Sequence, residues 1–395
     1  MNNIINIILK PGKEQSIMRR HPWIFSGAIQ SMSEKPEEGH LVRLLDSKGG
    51  FLALGHYQIG SIAVRIISFS EVAIDDVFWN SKIASAYNMR QNLGFINNKE
   101  TNVFRLIHGE GDDMPGLIVD FYNGTAVTQF HSVGMYLVKD QIVKALQEIL
   151  GKNLKAIYDK SENTMPFKAP VRPKNGYLFG SASETRVLEY GNQFQIDWVE
   201  GQKTGFFIDQ RENRKLVQEF SKSRDVLNMF GYTGGFSVYA LRGGANTVHS
   251  VDSSKKAIEL TNNNVALNFP QATNHEAYAA DAFEYLAKMG SQYNLIILDP
   301  PAFAKHNDAL KNAMQAYKRL NQIAIEKIQK GGIIFTFSCS QVITKDIFRQ
   351  SVFAASANTG RKVSILHQLT QPADHAVSIY HPEGEYLKGL VLYIE

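Results

Sequence analysis

Residues 225–237, DVLNMFGYTGGFS, join a short apolar run to a glycine-rich turn and the start of a helical pattern. Four more apolar runs follow, each with a helical pattern behind it, and the last is GIIFTFS at 332–338. Short strands that alternate with helices are typical of a parallel sheet covered on both faces. The apolar runs at 362–369 and 389–394 are predicted to complete this sheet, so the fold class is α/β.

The pattern changes upstream of this region. Residues 1–75 hold short apolar runs between glycine-containing turns, which predicts a small β-barrel. Residues 76–185 combine two helical patterns with a hairpin turn at Asn123-Gly124, which predicts a central α+β domain. A chain of 395 residues exceeds one hydrophobic core. We therefore expect three domains, at residues 1–75, 76–185 and 186–395.

Three local features lead into the last domain. A hairpin is predicted at 187–199 with its turn at Gly191-Asn192. Asp209 is predicted to be the N-cap of the helix that follows, because a short polar side chain can accept the free amides of a first turn. Another helix is predicted to begin at Ser253, directly after the strand TVHSVD.

The composition is that of an ordinary folded protein, with 44% hydrophobic and 20% charged residues. No stretch approaches 18 apolar residues, so no membrane association is expected. The single cysteine precludes an internal disulfide and favours a cytoplasmic location. No cluster of His, Cys and acidic residues has metal-ligand spacing, so no metal is expected.

Two segments of the chain are rich in basic residues, although the net charge is only +4. Residues 10–23 carry four Lys and Arg against Glu14 alone, and residues 139–174 carry eight against four acids. Either segment can face phosphates or can be a solvated surface. Within the first, Arg19 and Arg20 are predicted to bind RNA, with Trp23 or Phe25 offering stacking or structural support.

Parallel sheets bind ligands beyond the carboxyl ends of their strands. The first such end carries Gly231, Gly234 and Gly235, which allow close backbone approach to a ligand. Their spacing matches neither the dinucleotide fingerprint nor a Walker loop. The second end carries Asp252, which is placed to accept both hydroxyls of a ribose. The third carries Asp281-Ala282, which is either an adenine contact or a helix cap.

The fourth strand end, LDPPAF, is rigid because Pro300 and Pro301 restrict the loop after Asp299. Such a loop suits a planar base, with Asp299 as acceptor and Phe303 as an apolar wall. The fifth strand end contains the only cysteine, Cys339, between two serines. A lone cysteine is usually a buried hydrophobe, but these polar neighbours argue against a core position.

A ribose-containing cofactor, an acidic loop and a thiol at neighbouring strand ends suit methylation at carbon 5 of cytosine. That carbon becomes nucleophilic only after a nucleophile adds to carbon 6, and a thiolate is the best side chain for this addition. Cys339 is then the predicted nucleophile. Asp299 is the predicted group that stabilises the activated ring.

Several motifs resemble the bacterial RlmI-like large-subunit rRNA cytosine-C5 methyltransferases. They include RRHPWIFSGAI, GQKTGFFIDQR, FGYTGGFS, LDPPAF, AYKRLN, FTFSCS and ADH…YHPEGEYLKG, and they span nearly the whole chain in order. The resemblance implies an N-terminal PUA RNA-binding domain, a central α+β domain and a class I, Rossmann-like methyltransferase domain that uses S-adenosylmethionine. It implies a role of the cysteine as nucleophile and large-subunit ribosomal RNA as partner, and it leaves open the oligomeric state, including a homodimer.

The resemblance also suggests that the segment from Lys203 to Arg211 closes over the cofactor. The full predicted cofactor set comprises Lys203, Thr204, Gly205, Phe206, Asp209, Gln210, Arg211, Asn228, Phe230, Gly231, Tyr232, Thr233, Gly234, Gly235, Asp252, Ser253, Asp281, Ala282, Asp299 and Pro300. The predicted RNA-binding set comprises Arg19, Arg20, Trp23 and Phe303.

Two departures limit what the resemblance assigns. Many RNA cytosine-C5 methyltransferases have a second cysteine after the first proline of the acidic loop, where this chain has Pro301, as RlmI-like proteins do. The base that removes the carbon-5 proton is therefore unassigned. The family often has Asp-His-Pro where this chain has Asp374-His375-Ala376, so His375 is not predicted to be catalytic.

Three rival interpretations remain. An exocyclic-amine methyltransferase also uses an Asp-Pro-Pro-aromatic loop, but there the aromatic residue usually follows the second proline directly, and here Ala302 intervenes. A dinucleotide-dependent oxidoreductase is disfavoured by the glycine spacing. A non-catalytic RNA-binding assembly factor would need neither Cys339 nor an intact cofactor loop.

Overall fold

The computed structural model describes residues 4–166, 168–182, 184–304 and 306–395. The contacts divide the chain into two compact units. The first consists of residues 1–187, 196–206 and 373–384, and the second of residues 188–195, 207–372 and 385–395. This division differs from the three predicted domains, because two segments beyond residue 186 belong to the first unit.

The first unit begins with a six-stranded mixed sheet. Its elements are β1 (Ile5–Leu9), α1 (Gln15–Met18), β2 (Trp23–Phe25), β3 (Ile29–Met32), β4 (Leu41–Leu45), β5 (Phe51–Tyr57) and β6 (Ile62–Ser68), in the sheet order β2-β6-β5-β4-β1-β3. The alternating side chains of β1 and β4 are buried in one apolar cluster with Ile24 and Val64.

A five-stranded sheet with three helices forms the rest of this unit. Its elements are α2 (Asp76–Asn92), β7 (Val103–His108), β8 (Leu117–Tyr122), β9 (Thr125–Phe130), α3 (Val133–Leu137), α4 (Lys139–Leu150), β10 (Ala156–Asp159) and β11 (Gly176–Gly180). The sheet order is β11-β10-β9-β8-β7. The predicted hairpin turn at Asn123-Gly124 is confirmed, since both residues have positive φ between β8 and β9.

The second predicted hairpin is formed by β12 (Arg186–Glu189) and β13 (Asn192–Gln195). Its turn lies at Tyr190-Gly191, with φ of 48° and 75°, and not at Gly191-Asn192 as predicted. The two turn residues with left-handed backbone lie one position upstream of the predicted pair, because Asn192 already belongs to β13 and is buried.

The second unit contains a seven-stranded sheet between helices. Its elements are α5 (Arg211–Phe220), β14 (Asp225–Met229), α6 (Gly235–Arg242), β15 (Thr247–Asp252), α7 (Lys255–Asn268), β16 (His275–Ala279), α8 (Ala282–Lys288), β17 (Leu295–Leu298), α9 (Leu310–Lys327), β18 (Gly332–Ser338), α10 (Lys345–Thr359), β19 (Val363–Leu369) and β20 (Lys388–Ile394). The order is β16-β15-β14-β17-β18-β20-β19, and β20 runs opposite to the other six strands.

The alternating side chains of these strands supply two apolar layers. Leu227 and Met229 pack into one cluster with α8, α9 and α10, while Val226 packs into the cluster on the other face. The predicted doubly covered sheet and both closing strands are thus confirmed. None of the helices in the described part of the chain is long and apolar enough to cross a membrane.

Two predicted caps are wrong. Helix α5 has Gln210 as its N-cap residue, and the Asp209 carboxylate instead accepts a hydrogen bond from the Tyr386 hydroxyl at 2.7 Å. Helix α7 is capped by Ser254, which is one residue after the predicted Ser253. The Ser254 side chain accepts a hydrogen bond from the amide of Ala257.

Candidate active site and RNA-binding surface

The strand order of the second unit brings four predicted site segments to neighbouring strand ends. Strands β15, β14, β17 and β18 lie next to one another and run parallel. The residues that follow their carboxyl ends are Ser253, Phe230, Asp299 and Cys339, and Asp252 is the last residue of β15. The topology therefore gathers these segments at one edge of the sheet.

The loop after β14 has an unusual backbone. Phe230 and Tyr232 have φ of 61° and 44°, a region that bulky side chains rarely adopt. Helix α7 holds this conformation, because Thr261 donates to the Tyr232 carbonyl at 2.8 Å and Asn264 donates to the Thr233 carbonyl at 2.9 Å. Strain of this kind persists only where the surroundings enforce it, and it is concentrated at functional sites.

Asp252 holds the same loop from the other side. One carboxylate oxygen accepts from the Tyr232 amide at 3.0 Å, and the other accepts from the Ser254 amide at 2.9 Å. A carboxylate offers about four acceptor sites, so both oxygens can still accept ribose hydroxyls. Asp252 thus orders the glycine-rich loop in addition to its predicted role.

Two other predicted cofactor residues have structural partners. Asp281 caps α8 by accepting from the amide of Glu284 at 3.0 Å, which confirms the cap interpretation for one of its oxygens. Asn228 is fully buried and donates to Ser237, so its side chain supports β14 from inside the sheet. The Asn228 Oδ1 atom has no hydrogen-bond partner among the described residues.

The segment predicted to close over the cofactor is divided between the two units. Residues 203–206 belong to the first unit, where the Thr204 hydroxyl donates to Asp120 at 2.6 Å. Residues 209–211 belong to the second, where Gln210 accepts from Asn213 at 2.6 Å. Its role in closing over a cofactor stays a prediction.

A buried ion pair that sequence reasoning missed supports the start of α5. Arg214 donates to both oxygens of Glu189 at 2.8 and 2.7 Å and to the Phe207 carbonyl at 2.9 Å. The Tyr239 hydroxyl also donates to Glu189, at 3.0 Å. Helical spacing could not find this pair, because Glu189 lies in the preceding hairpin.

The two serines beside Cys339 connect its loop to the Asp299 loop and to helix α9. Ser340 donates to the carbonyl of Ala304 at 2.5 Å, and Ser338 donates to the hydroxyl of Tyr317 at 2.9 Å. Both serines are buried, whereas Cys339 is partly exposed. The cysteine is therefore presented by a fixed backbone, although part of its surface packs against an apolar cluster.

Tyr317 is a second residue that sequence reasoning did not assign. Its ring lies 4.7 Å from that of Phe303, between centroids, and Phe303 also faces Phe283 at 6.3 Å. Burial raises the pKa of Tyr317 to about 12, so its hydroxyl stays protonated. Phe303 is partly buried in this aromatic group, so part of its ring surface stays accessible. Its role as an apolar wall for a base stays a prediction.

The predicted RNA-binding residues of the first unit differ in exposure. Arg19 and Arg20 are exposed, and within the described chain neither forms an ion pair. Trp23 is instead held in place: its indole donates to Glu110 at 2.8 Å and lies 4.3 Å from the His381 ring. Of the two aromatic candidates, Phe25 is the more exposed, at 49%.

The second basic segment, 139–174, is partly neutralised. Lys139 pairs with Asp140 at 2.9 Å and Lys144 pairs with Asp76 at 2.6 Å. Because none of the lysines and arginines of segment 10–23 forms such a pair with a described residue, this segment is the better candidate for phosphate contacts.

His375 lies in a buried polar group of the first unit. Its ring packs 5.2 Å from that of His108, and the adjacent Asp374 accepts from the amide of Arg105 at 2.9 Å. The Asp374 carbonyl also accepts from Arg90 at 2.6 Å. These contacts give the Asp374-His375 pair a structural role in anchoring segment 373–384.

Comparison with known proteins identifies the family. The S-adenosylmethionine-dependent methyltransferase family matches residues 105–376, and a PUA-like domain matches residues 7–69. A ribosomal RNA large subunit methyltransferase I from Tolumonas auensis is 36% identical in an alignment of 394 residues that covers 98% of each chain. The chain belongs to this methyltransferase family. Proteins with the same name from Enterobacter sp. and Escherichia coli O157:H7 are 36% and 35% identical, again over 98% of each chain.

Solved structures of methyltransferases share the fold. A proposed SAM-dependent methyltransferase from Streptococcus mutans has a TM-score of 0.84 at 22% identity, over 99% of this chain and 100% of that one. Another structure, solved in complex with SAH, has a TM-score of 0.85 at 23% identity over the same shares. The class I methyltransferase domain and the PUA-like domain implied by the resemblance are thus confirmed.

The cofactor of the family is S-adenosylmethionine, and the residues of this chain fit it. The Asp252 carboxylate has acceptor positions that ribose hydroxyls can use, and α7 bonds two carbonyls of the loop from Phe230 to Gly234. A side chain at Gly235 would approach Arg214 Cδ to 3.0 Å, so glycine keeps this helix start compact. When bound, the cofactor supplies an electrophilic methyl group.

Proposed function

We propose that this chain forms 5-methylcytosine in large-subunit ribosomal RNA in the cytoplasm, with Cys339 as nucleophile. The observation that carries the proposal is the position of Cys339: a partly exposed thiol on a backbone fixed by Ser338 and Ser340, beside the Asp299 loop. The names of the relatives, which specify ribosomal RNA of the large subunit, support the RNA substrate. The PUA-like domain supports RNA binding.

In the proposed reaction, the Cys339 thiolate forms a bond to carbon 6 of cytosine and the electron pair of the double bond moves toward carbon 5. Asp299 stabilises the activated ring at its N3/N4 edge. Carbon 5 would then take the methyl group of the cofactor, which would be left as S-adenosylhomocysteine. A base removes the carbon-5 proton, the bond between sulfur and carbon 6 breaks, and the thiolate is restored.

The first prediction tests the nucleophile. Cys339→Ala is expected to abolish 5-methylcytosine formation while cofactor affinity and folding stay close to wild type, because the thiol acts on the transition state. Bisulfite sequencing of ribosomal RNA from a deletion strain, complemented with either form, measures this. RNA with 5-fluorocytosine at the target is expected to form a stable covalent adduct with the wild type, since fluorine blocks the proton removal that precedes release.

The outcome separates the rival activities. If Cys339→Ala still makes 5-methylcytosine, or if the fluorinated RNA never crosslinks to Cys339, the proposed mechanism is wrong. Methylation at an exocyclic amine in the alanine variant would support the alternative use of the Asp299 loop. Loss of assembly without any methylated nucleotide in the wild-type RNA would support a non-catalytic assembly factor.

A further inference from the structure

Lys388 is a buried ammonium next to the candidate nucleophile. It opens β20 and pairs with Ser338 in the antiparallel ladder to β18, so it stands opposite the residue that precedes Cys339. Its side chain crosses to the other side of the cysteine, where Nζ donates to the carbonyl of Ser340 at 2.5 Å. Only 6% of Lys388 is exposed.

Lysine is almost never buried this deeply unless a negative charge accompanies it. Within the described residues, no carboxylate lies within ion-pairing distance of Lys388. Glu385 is a carboxylate whose charge acts on it, and that carboxylate pairs with Lys345 at 2.6 Å. A single carbonyl is the acceptor for a group that carries three donors.

The titratable groups near Cys339 and Lys388 bear on which of them can compensate the charge of the ammonium. Tyr317 stays protonated, because burial raises its pKa to about 12. Lys345 repels the ammonium, and the charge of Cys339 attracts it. Lys388 lies opposite Ser338 and bonds to Ser340, so Cys339 between them is the candidate for the compensating charge.

We propose that Lys388 is a positioning residue that stabilises the thiolate of Cys339 as an ammonium–thiolate pair. The proposal rests on the proposed function, in which that thiolate adds to carbon 6. The proton lost by the sulfur is released to solvent, and Nζ stays protonated while the sulfur–carbon bond forms and later breaks. Lys388 is therefore not the base that removes the carbon-5 proton.

The electrostatics of the pair agree with this assignment. Burial lowers the pKa of Lys388 to about 8, with Cys339 and Glu385 opposing that shift and Lys345 adding to it. The amine thus remains mostly protonated near neutral pH. An ordinary thiol has a pKa of about 8.5, and a neighbouring cation lowers it.

The second prediction uses the fact that Cys339 is the only cysteine in the chain. Its alkylation by iodoacetamide, followed as a function of pH in the full-length protein, reports the ionisation of this thiol alone. The wild-type thiol is expected to titrate at least about one unit below 8.5. Lys388→Gln keeps a donor for the Ser340 carbonyl but removes the charge, so alkylation near neutral pH is expected to slow about tenfold.

Two further variants serve as controls. Lys388→Arg keeps the charge and is expected to keep the low thiol pKa. Lys345→Gln removes an exposed charge from the same neighbourhood and is expected to change alkylation less than about twofold, because solvent screens it. Circular dichroism establishes that each variant is folded.

A wild-type thiol that titrates at or above 8.5 overturns the proposal even if Lys388→Gln does not fold. So does a folded Lys388→Gln protein whose thiol ionises as in the wild type. These results leave the role of Cys339 intact if Cys339→Ala has lost methyl transfer. Conversely, a shifted thiol in Lys388→Gln together with an active Cys339→Ala contradicts the proposed function and leaves the ion pair established.

Discussion

At the scale of single residues, the serines on either side of Cys339 fix the backbone that carries the thiol. They are buried and bonded to neighbouring segments, whereas the cysteine between them is partly exposed. Hydrogen bonds to a buried partner fix the backbone more tightly than apolar packing alone, since leaving either group unpaired costs about 1–3 kcal/mol. The Ser-Cys-Ser sequence therefore holds the thiol on a backbone with little conformational freedom.

Asp252 carries the third prediction. Asp252→Ala is expected to weaken S-adenosylmethionine binding by about 1.5–3 kcal/mol, because it removes a charged acceptor and frees the Tyr232 amide that now orders the loop. Isothermal titration calorimetry measures the affinity. Asp281→Ala is the matched control at the next strand end: it removes a helix cap, so it is expected to reduce stability by about 1 kcal/mol with a smaller effect on affinity. Equal affinities for wild type and Asp252→Ala would refute the ribose assignment.

At the scale of elements, helix α7 determines the shape of the cofactor loop. It holds two carbonyls of the loop and packs against Gly234, whose φ is 76°. A side chain at Gly234 would approach Thr261 Cγ2 to 2.8 Å and its Cα to 3.1 Å. The conformation of the loop thus depends on its packing and hydrogen bonds with α7.

Gly234→Ala therefore gives the fourth prediction. The substitution combines a disfavoured backbone with a clash, so it is expected to lower the free energy of unfolding by about 1–3 kcal/mol and to weaken cofactor binding. Gly244→Ala is the control, because Gly244 has a similar φ of 81° with nothing within 4 Å of the added carbon. Urea unfolding should show the larger loss for Gly234→Ala, and a loss no greater than that of Gly244→Ala would show that the contact with Thr261 is unimportant.

The sequence predicted the strand ends and the glycine-rich loop because these depend on local alternation and turn chemistry. It could not predict Tyr317 or Lys388, because their positions depend on which strands become neighbours. One of the two wrong caps has a similar cause. Asp209 has the right chemistry for a cap, but the hydroxyl of Tyr386, far along the chain, donates to its carboxylate.

At the scale of the whole molecule, the chain crosses between its two units more than once. Residues 373–384 leave the second unit after β19 and return to it before β20. Sequence patterns placed every residue after 186 in one domain, because hydrophobic periodicity carries no information about which core a loop joins. The contacts of Asp374 with Arg90 and Arg105 are what assign this segment to the first unit.

The fifth prediction concerns RNA binding by the full-length protein. Reversing both Arg19 and Arg20 to Glu is expected to weaken RNA binding and to reduce its salt dependence, by about 0.9 in slope per lost phosphate contact on a duplex and about 0.7 on a single strand. Binding titrations at several salt concentrations measure the slope. Reversal of the exposed Lys35 and Lys48, outside segment 10–23, changes the net charge equally and is expected to preserve the slope. An unaltered slope in the arginine variant would place the RNA surface elsewhere.

The position of β20 also affects the order in which the second unit can assemble during synthesis. Strand β19 leaves the ribosome before β20, yet β20 lies between it and β18. Until β20 emerges, β18 therefore has an open edge directly beside Cys339, and unpaired edges invite association with other chains. The same late strand brings Lys388, so a nascent chain should acquire its reactive thiolate only when that edge is closed.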